Sequence, residues 1–219
     1  MTVPPWILRA LLVGAGLVGW FVTQAKIARR SLPDGRIGDR LLELTEPLNR
    51  RLRESPRLAD ALLVATSAVI DLLGVFLIVL AVFGPTFRPF LGLAIVFALR
   101  QLCQGLCALP APEGMIWRRP GVPSLLVTYG TTSDLFFSGH TAIAVYGALE
   151  LAHRGGPWAA VLGAAIALVE AATVLVLRAH YTMDVFAGAV TALGAWCAAS
   201  MLAPGLDRWL AQVFGGLGS

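Results

Sequence analysis

Apolar and polar positions fall in long blocks along this chain, not at the alternating period of a strand. Spanning a bilayer takes about 20 mostly apolar residues. Six runs meet that need, near 6–25, 61–83, 89–109, 136–153, 157–178 and 181–203. Each carries few charges: Arg9 in the first, Asp71 in the second, Arg100 in the third, Glu150 with His140 in the fourth, Glu170 in the fifth and Asp184 in the sixth. Thr23-Gln24-Ala25 could end a signal peptide, but the basic residues follow the first run instead of preceding it, so it reads as a retained helix.

Two segments break the pattern. Residues 26–58 hold nine basic and five acidic residues. Within them Ile37, Leu41, Leu44, Leu48 and Leu52 recur at helical spacing, which predicts an amphipathic helix lying in the membrane interface, bent or split at Pro47. A solvated connector is the alternative reading. Residues 110–135, with Pro110, Pro112, Pro120, Pro123, Gly114, Gly121 and Gly130, predict a long loop. The expected organisation is all-α and polytopic: a first transmembrane helix over 1–26, an interfacial amphipathic segment over 27–58, a five-helix catalytic membrane core over 59–204 and a C-terminal tail over 205–219.

Composition agrees. Of 219 residues, 57% are hydrophobic and 14% charged, against about 25% charged in a soluble domain. That excludes a disordered chain, a coiled coil and a typical cytosolic enzyme. One Lys and sixteen Arg give a net charge of +4, but an apolar chain leaves no extended basic surface for nucleic acid. Cys103, Cys107 and Cys197 are an odd set without a His at zinc-finger spacing, and read as small apolar residues.

Candidate chemistry is concentrated in two stretches that each open an apolar helix: Asp134-Leu-Phe-Phe-Ser138-Gly139-His140-Thr141 and His180-Tyr-Thr-Met-Asp184. His180 and Asp184 are four apart, so on a helix the carboxylate would hold one imidazole nitrogen and leave the other as nucleophile or base. Ser138 is a favoured N-cap, and the free N–H groups of the turn it opens form an anion site that Gly139 leaves accessible. An anion there would favour protonated His140, suited to acid catalysis. Two crossings separate the fourth and sixth runs, so both imidazoles can meet at one membrane face, where the third run brings Arg100. Guanidinium matches phosphate geometry. Together these parts suggest phosphoryl transfer.

At these residues the chain resembles the sphingomyelin synthase-like branch of the type 2 phosphatidic acid phosphatase superfamily. The resemblance rests on Asp134 and Ser138-Gly139-His140-Thr141, on His180-Tyr181-Thr182-x-Asp184-Val185, and on Arg100 followed by Leu109-Pro110-Ala111-Pro112. It implies that His180 becomes phosphorylated, that Asp184 orients it, and that His140 protonates the leaving alcohol and then activates the acceptor. It further implies a phospholipid donor, an acceptor that is a lipid alcohol such as ceramide or diacylglycerol, or water, and no metal or other cofactor. Plain lipid phosphate phosphatases, the alternative, carry Ser-Arg where this chain has Thr173-Val174, which favours the synthase branch. A transporter using Asp71, Arg100, Glu150 and Glu170 as a charge pathway, and a non-catalytic scaffold, are the rivals of another class. Arg178 reads as an anchor to lipid head groups, with help in holding phosphate as the second reading, and Glu170 as a buttress of the site.

A cell-membrane location is expected, with sidedness open. The face bearing both His motifs also bears twelve basic residues, against Arg9, Arg88, Arg154 and Arg208 on the other. The positive-inside rule puts that face in the cytoplasm; the resemblance implies the exoplasmic face.

Overall fold

The computed structural model describes residues 4–29, 37–127, 129 and 135–215. Helices run in the order α1 (Pro5–Ile27), α2 (Arg40–Leu44), α3 (Glu46–Glu54), α4 (Pro56–Phe83), α5 (Arg88–Leu106), α6 (Gly139–Val176) and α7 (Thr182–Gly215), with no strand among the described residues. Proline stands in the first turn of α1, α3, α4 and α5, where its missing N–H costs no helical bond. Among the described residues five helices, α1, α4, α5, α6 and α7, are long and apolar enough to cross a bilayer. The chain is therefore an all-helical membrane protein.

The sequence predicts six spans, and the difference lies in α6, which takes up both the fourth and the fifth. Its 38 residues are not one rod. Gly156 has φ +69° and ψ −159°, outside the helical region, and Pro157 follows it. The residues on either side, 139–155 and 157–176, fold back on one another: a Cβ added at Gly163 would stand 2.8 Å from the Cα of Ala148. Fifteen residues of straight helix would separate those positions by about 22 Å. A Gly-Gly-Pro reversal this tight leaves no loop between the limbs.

At its C-terminal end α7 continues through Pro204 to Gly215, over much of what the sequence predicts as a tail. The extension is held by Leu210, buried with Val13, Ala81, Val82 and Phe87, and by Asp207, which accepts from Thr86 Oγ1 (2.6 Å) and Phe87 N (2.8 Å) at the start of α5. Lipid offers apolar helices no hydrophobic drive to associate, so close packing through small residues must do so. Accordingly Ala192, Ala195, Ala199 and Ala203, one helical stripe of α7, are all buried.

The amphipathic segment divides at Thr45, just before Pro47, into α2 and α3. Leu42 and Asn49 turn inward, and Asn49 Nδ2 donates to Gly114 O (3.1 Å) and Val176 O (2.9 Å). Ile37, Leu41, Leu44 and Leu48 are exposed; Leu52, last of the stripe, is buried against Ala59, Leu63 and Leu177.

Candidate active site

Two short backbone devices aim the histidines. The first ends α6. Ala179 N donates to Val174 O (2.9 Å) and Arg178 N to Leu175 O (3.0 Å), with Arg178 at φ +54°. This is a Schellman turn whose left-handed residue is arginine where glycine is usual. The backbone cost of roughly 1–2 kcal/mol is offset by the buried guanidinium, which donates to Glu113 O (2.9 Å), Leu42 O (2.7 Å) and the Glu46 carboxylate. Arg178 is thus not a head-group anchor: it clasps α2, α3 and the proline-rich loop to the turn that delivers His180.

The second device opens α6. Phe137, fully buried, has φ +82°, a strained conformation for an aromatic residue. Ser138 follows as N-cap, its Oγ accepting from Thr141 N (3.3 Å) and Thr141 Oγ1 (3.0 Å). The Ser138 N–H donates to Asp184 O (3.0 Å), so the two motif-bearing helix starts are bonded directly to each other. Gly188 permits this approach: a Cβ there would lie 2.6 Å from Ser138 O.

His140, His180, Arg100 and Gly139 line one cavity of about 40 Å³, together with Trp20, Phe97, Trp117 and Leu135 among others. That is room for a few waters. Arg100 is buried and bonds Gln24 Oε1 (2.7 Å) on α1. Its Nε would lie 3.2 Å from a Cβ at Gly139, so the missing side chain lets the guanidinium reach the helix start. His140 stands edge-on to Trp117, ring centroids 5.2 Å apart, and its Nε2 is buried without a hydrogen-bond partner among the described residues.

His180 departs from expectation in its partner. Its Nδ1 lies 2.8 Å from Leu135 O and 3.7 Å from Asp184 Oδ2. A carbonyl only accepts, so Nδ1 carries a proton, and in the neutral ring the lone pair falls to Nε2. The reason is positional. His180 precedes the first residue of α7, so the i, i+4 geometry of a helix does not apply, and Asp184 Oδ2 instead accepts from Tyr181 N (2.9 Å). Asp184 braces the turn and lends its charge at a distance.

Asp134 lies outside the described residues. The other intramembrane acids sit away from this cavity. Asp71 accepts from Leu125 N and Leu126 N (both 2.8 Å), pinning the loop. Glu150 pairs with Arg88 (2.8 Å), and Glu170 accepts from Thr66. Trp20, Gln24 and Trp117 escape sequence reading because none belongs to a polar motif, and Leu135 lies inside the first motif without any sign that its carbonyl meets the His180 ring; only position in the fold brings them here. Asp39 was also missed. It caps α2 and accepts from Thr182 N and Oγ1 (both 2.6 Å), tying α2 to the start of α7. Burial alone would raise its pKa, but these bonds with those from Leu41 and Leu42 outweigh it and hold the carboxyl below its usual range.

Compared with known families, residues 39–201 match AtPDCT1/2, the phosphatidylcholine:diacylglycerol cholinephosphotransferases. The chain belongs to this family. The match covers α2 through most of α7, including every histidine, and leaves out α1. No curated protein and no solved structure matches significantly. Membership in the AtPDCT1/2 family makes the chain a lipid-modifying membrane protein of the head-group transferase type.

Proposed function

We propose that the protein transfers a phospho-head group from a donor phospholipid to a lipid alcohol through a phosphohistidine, in the manner of the sphingomyelin synthase-like branch of the phosphatidic acid phosphatase superfamily. The observation that carries this is the His180 tautomer. With Nδ1 donating to Leu135 O, the Nε2 lone pair is the nucleophile at the cavity. It attacks phosphorus, and the bond from phosphorus to the diacylglycerol oxygen breaks. His140 Nε2–H supplies the proton to that leaving oxygen. In the second half His140 Nε2 takes the proton of the acceptor hydroxyl, whose oxygen displaces His180 from phosphorus. Arg100 and the N–H groups of the turn opened by Ser138 and Gly139 hold the phosphoryl oxygens, with Asp134 as a further member of the substrate site and Asp184 as the orienting charge. The family's name supports phosphatidylcholine as donor and diacylglycerol as acceptor.

In the membrane we propose six crossings, the two limbs of α6 each spanning once, with α2 and α3 in the interface of the face that holds the cavity. The outward stripe Ile37, Leu41, Leu44 and Leu48 supports that placement. The proposed site is the cell membrane. Thiol labelling from either side of a cysteine placed at Arg50 assigns the leaflet.

The test is incubation of purified protein with phosphatidylcholine and isotopically labelled diacylglycerol, with products read by mass spectrometry. Labelled phosphatidylcholine is expected, together with an acid-labile phosphocholine adduct on His180. Free phosphocholine in its place would make water the acceptor, and no product would remove the enzymatic reading.

A further inference from the structure

Helix α1 lies outside the family match, yet it builds part of the cavity. Trp20 lines it, and Gln24 Oε1 binds the Arg100 guanidinium. It is also the least enclosed of the five spanning helices, with 11% of its apolar window buried against 44% for α5. Between α1 and α5 runs a groove of about 400 Å³, lined by Gly16, Gly19 and Thr23 on one side and Ala94, Ala98 and Gln101 on the other. It extends along about 16 Å of α5. Its polar lining is confined to Thr23 and Gln101 at the end nearest Arg100, and the rest is apolar.

Two residues, Trp20 and Phe97, line both this groove and the histidine cavity. They stack with ring centroids 4.8 Å apart and planes 15° apart, making a partition two rings thick. Trp20 is buried, and its indole N–H finds no acceptor among the described residues. Buried indole N–H groups normally do find one. An apolar groove, a partition and an unmatched donor, all beside the phosphate-binding guanidinium, describe the receptor for a molecule with an apolar tail, a carbonyl or ether oxygen and a phosphate, in that order.

We propose that the α1–α5 groove holds an acyl chain of the donor phospholipid, and that Trp20 Nε1–H donates to an oxygen of its glycerol ester backbone. The assignment rests on the head-group-transfer reading for the identity of the lipid. The donor is chosen over the acceptor because Phe97 and Gln101, the α5 residues flanking Arg100, line the groove: the chain emerges next to the residue that holds phosphate, and only the donor brings phosphate with it. Helix α1 thereby becomes the element that selects the donor, and the family match without α1 fits a shared chemistry with separately varied tail recognition.

The test uses the full-length protein in lipid nanodiscs and a phosphatidylcholine with a diazirine in one acyl chain. Photolabel is expected on the peptides spanning 16–23 and 90–101, and is expected to fall at least about fivefold there in Gly19→Leu, where the new side chain enters open space and fills the groove. Label spread evenly over the apolar surface, or unchanged in Gly19→Leu, overturns the proposal. Label from a diazirine diacylglycerol competing there in preference to phosphatidylcholine overturns the choice of donor. Labelling needs no turnover, so localised label in a protein that transfers nothing keeps the groove and refutes the enzyme. In an active protein, Gly19→Leu lowers the ratio of kcat/KM for dipalmitoyl over dihexanoyl phosphatidylcholine about tenfold. Trp20→Phe keeps the stack and removes the N–H. It is expected to raise KM for the long-chain donor about three- to tenfold, beyond any fall in kcat; an unchanged KM removes the Trp20 contact.

Discussion

The two ends of the helical bundle bury charge in opposite ways. At one end Arg88 pairs with Glu150 (2.8 Å), lies over Trp196 at 5.5 Å, and has Arg154 near the same carboxylate (3.8 Å). Nearby Asp207 is taken by Thr86 and Phe87 N, and Arg9 by Gly84 O (2.7 Å). Each charge there has a side chain or backbone partner on another segment, with Arg88 and Glu150 answering one another directly, and the result is a lock between helices. At the other end the histidines are held by the backbone: Nδ1 of His180 by Leu135 O, and the turn beneath it by Asp184, with Nε2 of His140 left without a partner among the described residues. A locked end makes a scaffold. At the other end the His180 ring is oriented from behind and the His140 Nε2 is left unspent, the arrangement that the proposed head-group transfer calls on. The difference teaches that charge within an apolar span identifies no function until its partners are known: Glu150 is spent on Arg88, whereas Asp184 braces the turn that carries His180.

That contrast can be broken by exchange of effects. Removing His180 or His140 by substitution to Ala should abolish head-group turnover, by roughly 10⁴-fold or more if they act as a unit, while melting temperature in detergent stays near that of the parent. A large fall in melting temperature for His180→Ala would make this end structural too. Glu150→Ala should do the reverse. It leaves Arg88 buried without its carboxylate, a loss of about 3–5 kcal/mol, read as a lower melting temperature, with turnover per folded molecule unaltered. Arg88→Met combined with Glu150→Leu should recover much of that loss; a double variant no better than the single would mean the ion pair is not the source.

Gly188→Ala probes the joint between the two motif helices. The added methyl meets Ser138 O at 2.6 Å, and displacing a catalytic group by about 1 Å can cost on the order of 10²-fold. Turnover should fall that far with KM little changed, and an active Gly188→Ala enzyme would show that the contact yields without moving His140.

The smallest effect is expected at Asp39. Its folded pKa is lowered, so its contribution is complete above the ordinary carboxylate value of 3.8 and is lost as pH falls through the folded value. Asp39→Ala removes a cap worth about 1 kcal/mol. It should speed proteolysis within 37–54 at neutral pH, and the gap between variant and parent should close below about pH 4. A gap that persists in acid would place the tie elsewhere.

Much of this architecture was legible in advance. Apolar length alone marked the five helices that, among the described residues, are long enough to cross a bilayer, because a bilayer demands about 20 residues whatever surrounds them, but it counted α6 as two separate runs. The Ser138-Gly139-His140 turn was also readable: an N-cap and a close backbone approach are local events, and both appear where the residues predict them. The split before Pro47 belongs to the same class. Other features were out of reach. Spacing of four suggested that Asp184 holds His180, but the helix starts two residues after the histidine, and a carbonyl 45 residues away takes the bond instead. Arg178 looked like a lipid anchor, because nothing in its neighbours in sequence announces three acceptors from elsewhere in the chain.

What the sequence determined by itself was the medium, the helices and the residue types available for phosphoryl chemistry, since each of these follows from composition and from interactions within a few positions. Only the tertiary structure decided which charges neutralise one another, which tautomer His180 adopts, and that α1 stands beside the reactive rings. Those outcomes depend on backbone groups distant in the chain, whose partners are chosen by how helices pack and not by what any short stretch prefers.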